Sequence, residues 1–413
     1  MVEQLKPLHP GRISSKALDY LNQVVEYGFG NSSGPGMTGR FEKLFAEKMN
    51  VKYGIAHCNG TATMHSCLAA AGVKPGDEVI TTPLTAAATS YAILHQGAIP
   101  VFADVDEKTF NIDPINIRER ITPLTKAIIP VHLYGLPANM PEIMKIAEEH
   151  NLIVIEDSAE CFLGKINGQP TGTFGHAASF SFQASKHLTC GDGGIVITNN
   201  EEYATKIRKF SCFGYHSLTS KSGGILPKKE RGDPDSIRHD SIGWNYRMSE
   251  LQGAVALEQT ERIEELVDKR IKIAEMFKEA ISGCSWLVPQ FNPPDYINSY
   301  WTFVCRFEAE EAGCTWQEFR QKFYENGGDF IYGAWRLTYN EPVFQERKFL
   351  GGFFPIDSEV YHGRKQQYKL GLCPMAEKLQ PKLMQFKTNY MDLEEARKQA
   401  EILRKTIQEI NQK

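Results

Sequence analysis

Paired cysteine motifs of the metal-binding or redox type are absent from this 413-residue sequence. No two of its nine cysteines form a CxxC pair, and neither an HExxH helix nor a P-loop is present. These absences exclude a zinc ribbon, a thioredoxin-type site and a P-loop, and no metal site is predicted. An odd number of scattered cysteines indicates free thiols in a reducing compartment. They are Cys58, Cys67, Cys161, Cys190, Cys212, Cys284, Cys305, Cys314 and Cys373.

Long hydrophobic runs and an excess of charge of one sign are also missing. The chain has 46 lysines and arginines against 50 aspartates and glutamates, a net charge of −4. This balance gives no electrostatic reason to expect nucleic acid or an anionic membrane as a partner. No apolar run approaches the roughly 20 residues that span a bilayer, and the first 20 residues lack the apolar core of a secretory signal. We therefore expect a cytoplasmic protein.

Residues 52–200 alternate between short apolar runs and helical patterns. The apolar runs 78–81, 99–103, 127–131 and 152–155 have the length of buried strands. Such alternation predicts a mostly parallel α/β sheet covered by helices.

One long amphipathic helix is predicted from Ser249 to about Ile281. We expect it to join a large α/β domain, residues 1–265, to a smaller α+β domain, residues 266–413. Residues near 1–20 are expected to pack on the small domain.

Two motifs place reactive groups at the ends of predicted strands. In Cys58-Asn-Gly-Thr-Ala-Thr63, Asn59 caps a helix that stops at Gly72, and the free N–H groups at its start could hold a phosphate. The strand Ile153–Asp157 ends in an acid, which could keep a pyridine nitrogen protonated. Taken alone, each motif is better explained by helix capping without a ligand.

Lys186 lies between two short predicted strands and is followed by three glycines, Gly191, Gly193 and Gly194. Most lysines are solvated surface charges. This one stands in the least charged stretch of its half of the chain, where desolvation and a nearby cation would make its amine nucleophilic. Lys186 is therefore a candidate for covalent chemistry.

Two polar segments leave both a structural and a functional interpretation open. In Gly243–Leu251, Ser249 caps the long helix, while Asn245 and Arg247 could present an amide and a guanidinium to anions. The basic segment 217–240 is either a solvated loop or a mobile lid that meets an anionic substrate.

In their order along the chain, these segments resemble the DegT-type nucleotide-sugar aminotransferase family, a branch of the fold-type-I enzymes that use pyridoxal 5′-phosphate (PLP). The resemblance runs from about Gly39 to about Lys269 and is weaker beyond. It includes GDEVITTP at 76–83, GAIPVFADVD at 97–106, IIPVHLYGLP at 128–137 and the block around Lys186 with its five-residue spacing from Ser181.

The resemblance implies a large domain with a mostly parallel seven-stranded sheet sandwiched by helices, and a small C-terminal domain. It implies that Lys186 carries PLP as a Schiff base and acts as general base and acid, while Asp157 pairs with the pyridine nitrogen. Glutamate or glutamine would donate the amino group, and a keto sugar would receive it in a ping-pong cycle.

The resemblance also assigns the phosphate site and an oligomeric state. The backbone at Gly60, Thr61 and Ala62 would hold the phosphate together with the Ser181 hydroxyl. Asn245 stands where the family reaches the phosphate of the neighbouring subunit's cofactor. A homodimer with active sites at its interface is therefore expected.

Three positions bear on departures from the family pattern. Ala86 stands where the family usually has an aromatic residue stacked on the cofactor ring, so that partner is missing, moved or contributed by another residue, and a bulkier substrate could fit there. Glu160 replaces the usual glutamine or histidine near the ring oxygen, and it either points elsewhere or raises the pKa of the Schiff base. A dehydratase subgroup has histidine at the lysine position, but here Lys186 occupies it.

The acceptor substrate depends mainly on the divergent C-terminal part. The segment 330–339 contains Tyr332, Trp335 and Arg336, which could stack a sugar or base and pair an anion, or could belong to the small-domain core. A nucleotide-linked keto sugar is the expected acceptor, with an aminocyclitol ketone or a sugar phosphate as alternatives. A PLP-binding regulatory protein without turnover is a further alternative.

Overall fold

The structure is a computed structural model and describes residues 10–29, 35–221, 228–348 and 368–412. The described helices are α1 (Ser15–Glu26), α2 (Met37–Lys48), α3 (Gly60–Ala70), α4 (Ala87–His95), α5 (Pro114–Arg120), α6 (Met140–His150), α7 (Glu201–Phe210), α8 (Lys228–Arg231), α9 (Glu250–Glu261), α10 (Ile263–Ala280), α11 (Ala309–Ala312), α12 (Trp316–Glu325), α13 (Pro342–Gln345), α14 (Pro374–Leu379) and α15 (Leu393–Asn411). The described strands are β1 (Tyr53–His57), β2 (Glu78–Thr81), β3 (Ile99–Phe102), β4 (Thr125–Ile129), β5 (Ile153–Asp157), β6 (Lys165–Ile166), β7 (Gln169–Pro170), β8 (Ala177–Ser181), β9 (Gly194–Thr198), β10 (Leu287–Pro289), β11 (Tyr296–Ile297), β12 (Thr302–Phe307), β13 (Tyr332–Gly333) and β14 (Leu383–Lys387).

A seven-stranded sheet in the order β1-β9-β8-β5-β4-β2-β3 forms the centre of the N-terminal part. Only β9 runs antiparallel to its neighbours, β1 and β8. Every residue of β2, β3, β8 and β9 is buried, as expected for strands covered on both faces by helices. The predicted mostly parallel α/β sheet is confirmed.

The smaller sheet of the C-terminal part is antiparallel, in the order β10-β12-β14-β13. Helices α10, α12 and α15 pack on it through a buried aromatic and aliphatic cluster that includes Phe277, Phe303 and Phe386. Strand β11 leaves this part and pairs with β6 of the large domain. The division of the chain at residue 265 stays a prediction.

The predicted helix from Ser249 to Ile281 is two helices, α9 and α10, separated at Arg262. Arg262 has φ −107° and ψ 14°, outside the helical range, and its guanidinium donates to the carboxylates of Glu258 and Glu265. Ser249 caps α9 in a capping box with Gln252, as its sequence position predicted.

In the described residues 10–29, helix α1 packs on the large domain, and the expectation that residues near 1–20 pack on the small domain stays a prediction. Tyr20 and Val24 of α1 are buried in the same cluster as Phe41 and Leu257. The Tyr20 hydroxyl donates to Glu261 on α9 over 2.8 Å. The apolar face of α1 is therefore covered by α2 and α9. Residues 1–9 lie outside the described residues.

No described helix has the length and hydropathy needed to cross a membrane.

An aromatic cluster beneath β8 should dominate the stability of the large domain. The Phe45 ring centroid lies 5.2 Å from that of Phe180 and 5.8 Å from that of Phe182, and all three rings are buried. We predict that Phe45→Ala lowers the free energy of unfolding by about 3–5 kcal/mol, because a buried ring is replaced by a cavity. Thermal and urea unfolding would measure this loss. Phe291→Ala, at a half-exposed ring, is the matched control, and an equal loss there would contradict the prediction.

Candidate active site

The site lies where the carboxyl ends of β1, β5 and β8 meet at one edge of the sheet. These three strands point the same way, since β9 is antiparallel to both β1 and β8, and β5 is parallel to β8. Ligand-binding residues of open α/β sheets gather at such an edge. The predicted motifs after β1, at the end of β5 and after β8 are thereby brought together.

The turn between β1 and α3 forms a cradle with free backbone donors. Asn59 caps α3 by accepting the Ala62 N–H over 2.8 Å, so the N–H that sequence reasoning assigned to a ligand at Ala62 is already bonded. Among the described residues, the Gly60 and Thr61 N–H groups form no hydrogen bond. A Cβ on Gly60 would lie 2.9 Å from the Cβ of Ser181, so only glycine fits here. The cradle can hold an anion.

Asp157, the last residue of β5, is buried with 4% of its surface exposed. Its carboxylate accepts the Thr89 hydroxyl over 2.8 Å and the Ala159 N–H over 3.2 Å. Burial raises the pKa of Asp157, while the Thr89 hydrogen bond and the charge of Lys186 oppose that rise. A cation placed against this carboxylate would favour its ionised form.

Lys186 is buried, with 9% of its surface exposed, and contacts two side chains from different elements. Its Nζ lies 3.1 Å from the Glu160 carboxylate and 4.3 Å from the centroid of the Trp301 ring. Glu160 also accepts the Tyr134 N–H over 3.1 Å. Glu160 therefore points at the lysine, which excludes the possibility that its side chain points elsewhere.

Sequence reasoning missed Trp301 and two arginines that hold the lysine loop. The Arg12 guanidinium donates to the carbonyls of Ala184 and Lys186. The Arg270 guanidinium donates to the Lys186 carbonyl over 2.8 Å and to the Trp301 carbonyl over 2.7 Å. Nothing in the sequence marks these long-range contacts, although the aromatic pair at residues 300 and 301 stands out in a polar stretch.

Ala86 is half-buried at the N-cap of α4 and carries no ring, as read from the sequence. Trp301 is the aromatic side chain that lies beside Lys186. His187, which follows the lysine, is turned away and its Nε2 is 2.9 Å from the Ser299 carbonyl oxygen. Burial lowers the pKa of His187 well below its ordinary value, so this ring is neutral.

Asn245 and Arg247 lie together on the surface beside the cradle. The Arg247 Nε donates to the Asn245 Oδ1 over 2.8 Å, and its guanidinium lies 5.4 Å from the Phe213 ring centroid. The intervening Tyr246 carbonyl accepts the Cys58 N–H over 2.7 Å, which ties this segment to the cradle. Both side chains are exposed in the single chain.

Of the three predicted C-terminal substrate residues, two line one cavity. Tyr332 and Trp335 border a cavity of about 360 Å³ together with Trp301 and Ser185. Arg336 is exposed and does not line it, so the structure does not bring this guanidinium to the cavity. The segment is therefore not small-domain core at Tyr332 and Trp335.

The predicted lid at 217–240 is described except for residues 222–227. His239 and Tyr215 pair as a β-bridge, and the His239 Nδ1 lies 2.9 Å from the Phe213 carbonyl oxygen. The Lys209 ammonium lies 2.5 Å from the Asp240 carboxylate. Its role as a lid stays a prediction.

Comparisons with known proteins agree on one family. The family model of the DegT/DnrJ/EryC1/StrS aminotransferase family matches residues 12–363. The chain is 35% identical over 295 residues to GDP-perosamine synthase of Escherichia coli O157:H7, covering 71% of this chain and 76% of that protein. It is 37% identical over 279 residues to UDP-N-acetyl-3-dehydro-alpha-D-glucosamine 3-aminotransferase of Acidithiobacillus ferrooxidans, covering 67% and 70%.

The fold agrees with solved structures over the whole chain. The aminotransferase from Psychrobacter cryohalolentis superposes with a TM-score of 0.83 at 26% identity, covering 99% of this chain and 100% of that one. The buried lysine, the buried carboxylate and the anion cradle at one sheet edge fit the aldehyde, pyridine nitrogen and phosphate of PLP. The chain therefore belongs to the DegT/DnrJ/EryC1/StrS aminotransferase family and is a PLP-dependent aminotransferase.

Proposed function

We propose that this enzyme transfers an amino group from glutamate or glutamine to a keto sugar, in the first place a nucleotide-linked one, using PLP held by Lys186. One observation carries the proposal: the aromatic-lined cavity shares the Trp301 ring with the lysine. Trp301 borders the cavity and also lies 4.3 Å from the Lys186 Nζ. A substrate bound there would meet flat apolar faces next to the ring that contacts the reacting nitrogen.

The cofactor roles are proposed residue by residue. Lys186 would bind the aldehyde carbon, and Asp157 would accept a hydrogen bond from the protonated pyridine nitrogen. The N–H groups of Gly60 and Thr61 and the Ser181 hydroxyl would hold the phosphate, since they surround one cradle. When bound, PLP supplies an electron sink for the carbon next to the amino group.

Lys186 would also move the proton in the reaction. Once an incoming amine has displaced it, its Nζ would be a base at a buried position beside the Trp301 ring. It would take the proton from the amino-bearing carbon of the donor and return it to the neighbouring carbon. When the amino group passes to the acceptor, the Lys186 Nζ would move the proton between the same two positions in the reverse direction.

A nucleotide-linked keto sugar is the favoured acceptor for two reasons. The compared relatives are named for nucleotide-linked amino sugars, one with GDP and one with UDP. The cavity offers Trp335 and Tyr332, both partly exposed, as faces for a base or a sugar. An aminocyclitol ketone or a sugar phosphate would use fewer of these faces.

A homodimer is proposed as the working unit. Four apolar side chains are exposed in and around the segment that leads to Asn245, namely Phe213 (40%), Ile237 (72%), Ile242 (93%) and Trp244 (51%). Such a patch on one chain favours burial against a partner. Asn245 lies between this patch and the cradle, so a second copy covering the patch would lie close to the cradle. This agrees with the contact to the neighbouring subunit's cofactor that the resemblance implies for Asn245.

The lysine assignment predicts a change in colour. Purified protein should show visible absorbance from PLP that fades on adding glutamate or glutamine and returns with the correct ketone. Lys186→Ala should lose the absorbance of the lysine-bound form and at least about 100-fold in turnover, because it removes both nucleophile and base. Lys206→Ala, an exposed lysine, is the control. An unchanged spectrum with every donor would instead support a PLP-binding protein without turnover.

The cradle assignment predicts a loss of affinity for PLP. Gly60→Ala adds a Cβ 2.9 Å from the Cβ and 3.2 Å from the Oγ of Ser181, which must displace the proposed phosphate ligands. We expect at least about tenfold weaker binding, the equivalent of one lost hydrogen bond to a charged group. Equilibrium titration of the full chain with PLP measures this, and Gly232→Ala, where a Cβ meets nothing within 4 Å, should be unaffected.

The dimer proposal predicts that a charge in the exposed patch separates the subunits. Ile242→Asp should lower the sedimentation coefficient to that of a monomer at micromolar concentration and weaken PLP binding with it, because an unpaired carboxylate would be buried. Ile115→Asp, at an equally apolar but distant exposed position, should leave the oligomeric state unchanged. A wild-type protein that sediments as a monomer would contradict the proposal.

A further inference from the structure

Glu160 is the one carboxylate that the described structure places within ion-pair distance of Lys186. The Nζ–Oε1 distance is 3.1 Å, and the side chains are 11% and 5% exposed, respectively. Its other oxygen is fixed by the Tyr134 N–H over 3.1 Å. Two anchors therefore hold the carboxylate at the reacting nitrogen.

The charges around this pair come from four elements. Lys186 faces Glu160 from the loop after β8, Asp157 from the end of β5, and Tyr134 from the turn after β4. The Asp157 carboxylate is bonded to Thr89 instead of the lysine. Arg270 places a buried guanidinium against the backbone carbonyl of the lysine loop. Glu160 is thus the local anion that offsets cationic charge at Nζ.

We propose that Glu160 is the counter-ion that keeps a proton on the Lys186 nitrogen, both in the free amine and after its bond to PLP. A glutamine or a neutral histidine at this position would carry no negative charge. A carboxylate 3.1 Å from a buried nitrogen favours its protonated form. With PLP bound, a proton that Glu160 holds on this nitrogen would make the adjoining carbon more reactive toward the incoming amino donor.

Burial raises the pKa of Glu160, and the charge of Lys186 is the largest opposing effect. The protonation of the two groups is therefore coupled, because a charged nitrogen favours an ionised carboxylate and an ionised carboxylate favours a charged nitrogen. If the proton instead sat on the carboxyl group, the pair would be neutral and the nitrogen uncharged. These two arrangements predict different behaviour when the carboxylate is replaced.

The test is the pH dependence of the visible absorption band of the full-length holoenzyme. A retained proton raises the pH at which the band changes, so Glu160→Gln should move that midpoint down by at least about one pH unit. Glu160→Asp, which keeps the charge, should move it less. Glu264→Gln, which breaks the exposed pair with Lys48, should leave it in place.

Two outcomes would overturn the inference. A Gln variant that titrates at the wild-type pH would show that Glu160 is not a counter-ion. A larger shift in the Asp variant than in the Gln variant would show that its shape matters and its charge does not. Circular dichroism and PLP content confirm that each variant is folded and loaded. If the Gln variant does not bind PLP, the comparison of the Asp variant with the wild type takes its place.

The inference rests on Lys186 being the cofactor lysine, and the two can fail separately. Retention of the lysine-bound band in Lys186→Ala would overturn the lysine assignment itself. Loss of that band in Lys186→Ala, with an unshifted Gln variant, would overturn only the counter-ion role.

Discussion

The rest of the site depends on the hold that two buried guanidinium groups have on the backbone around Lys186. Arg12 donates to the carbonyls of Ala184 and Lys186, and Arg270 donates to those of Ser185 and Lys186. The second amino group of Arg270 donates to the Trp301 carbonyl and the Thr388 hydroxyl. The N-terminal segment and α10 thus converge on three consecutive carbonyls, and Arg270 also ties them to one end of the β12–β14 pair, which fixes the backbone that carries the lysine.

This arrangement is electrostatically demanding. Arg12 and Arg270 are 6% and 4% exposed, and within the described ranges neither guanidinium is within ion-pair distance of a carboxylate. Burial lowers the pKa of Arg270 to about 9, and the charge of Arg12 adds to that effect. Carbonyl dipoles replace the lost water. Two guanidinium groups lie at the backbone of the lysine loop, and the Glu160 carboxylate lies at the lysine nitrogen, where it offsets this positive charge.

Much of the fold and the chemical core of the site could be predicted from local patterns. Buried strands such as β5 and capped helices such as α3 are determined by neighbouring residues, so their order along the chain implied a parallel sheet and its functional edge. The same patterns singled out Lys186, Asp157 and Gly60 as candidates, while their roles toward a cofactor came only from the resemblance to the family. The break at Arg262 and the packing of α1 on α9 were not predicted, because both depend on contacts between segments far apart in sequence.

The sequence by itself determined which reactive groups the protein has and the order of the elements that present them: a lysine after one strand, an acid at the end of another, and a glycine at a helix start. Only the tertiary structure decided what surrounds them. It turned Glu160 toward Lys186, brought Trp301 across 115 residues to the same nitrogen, and left Arg336 outside the cavity. The reason is physical: side-chain direction and burial depend on long-range packing, which no local periodicity encodes.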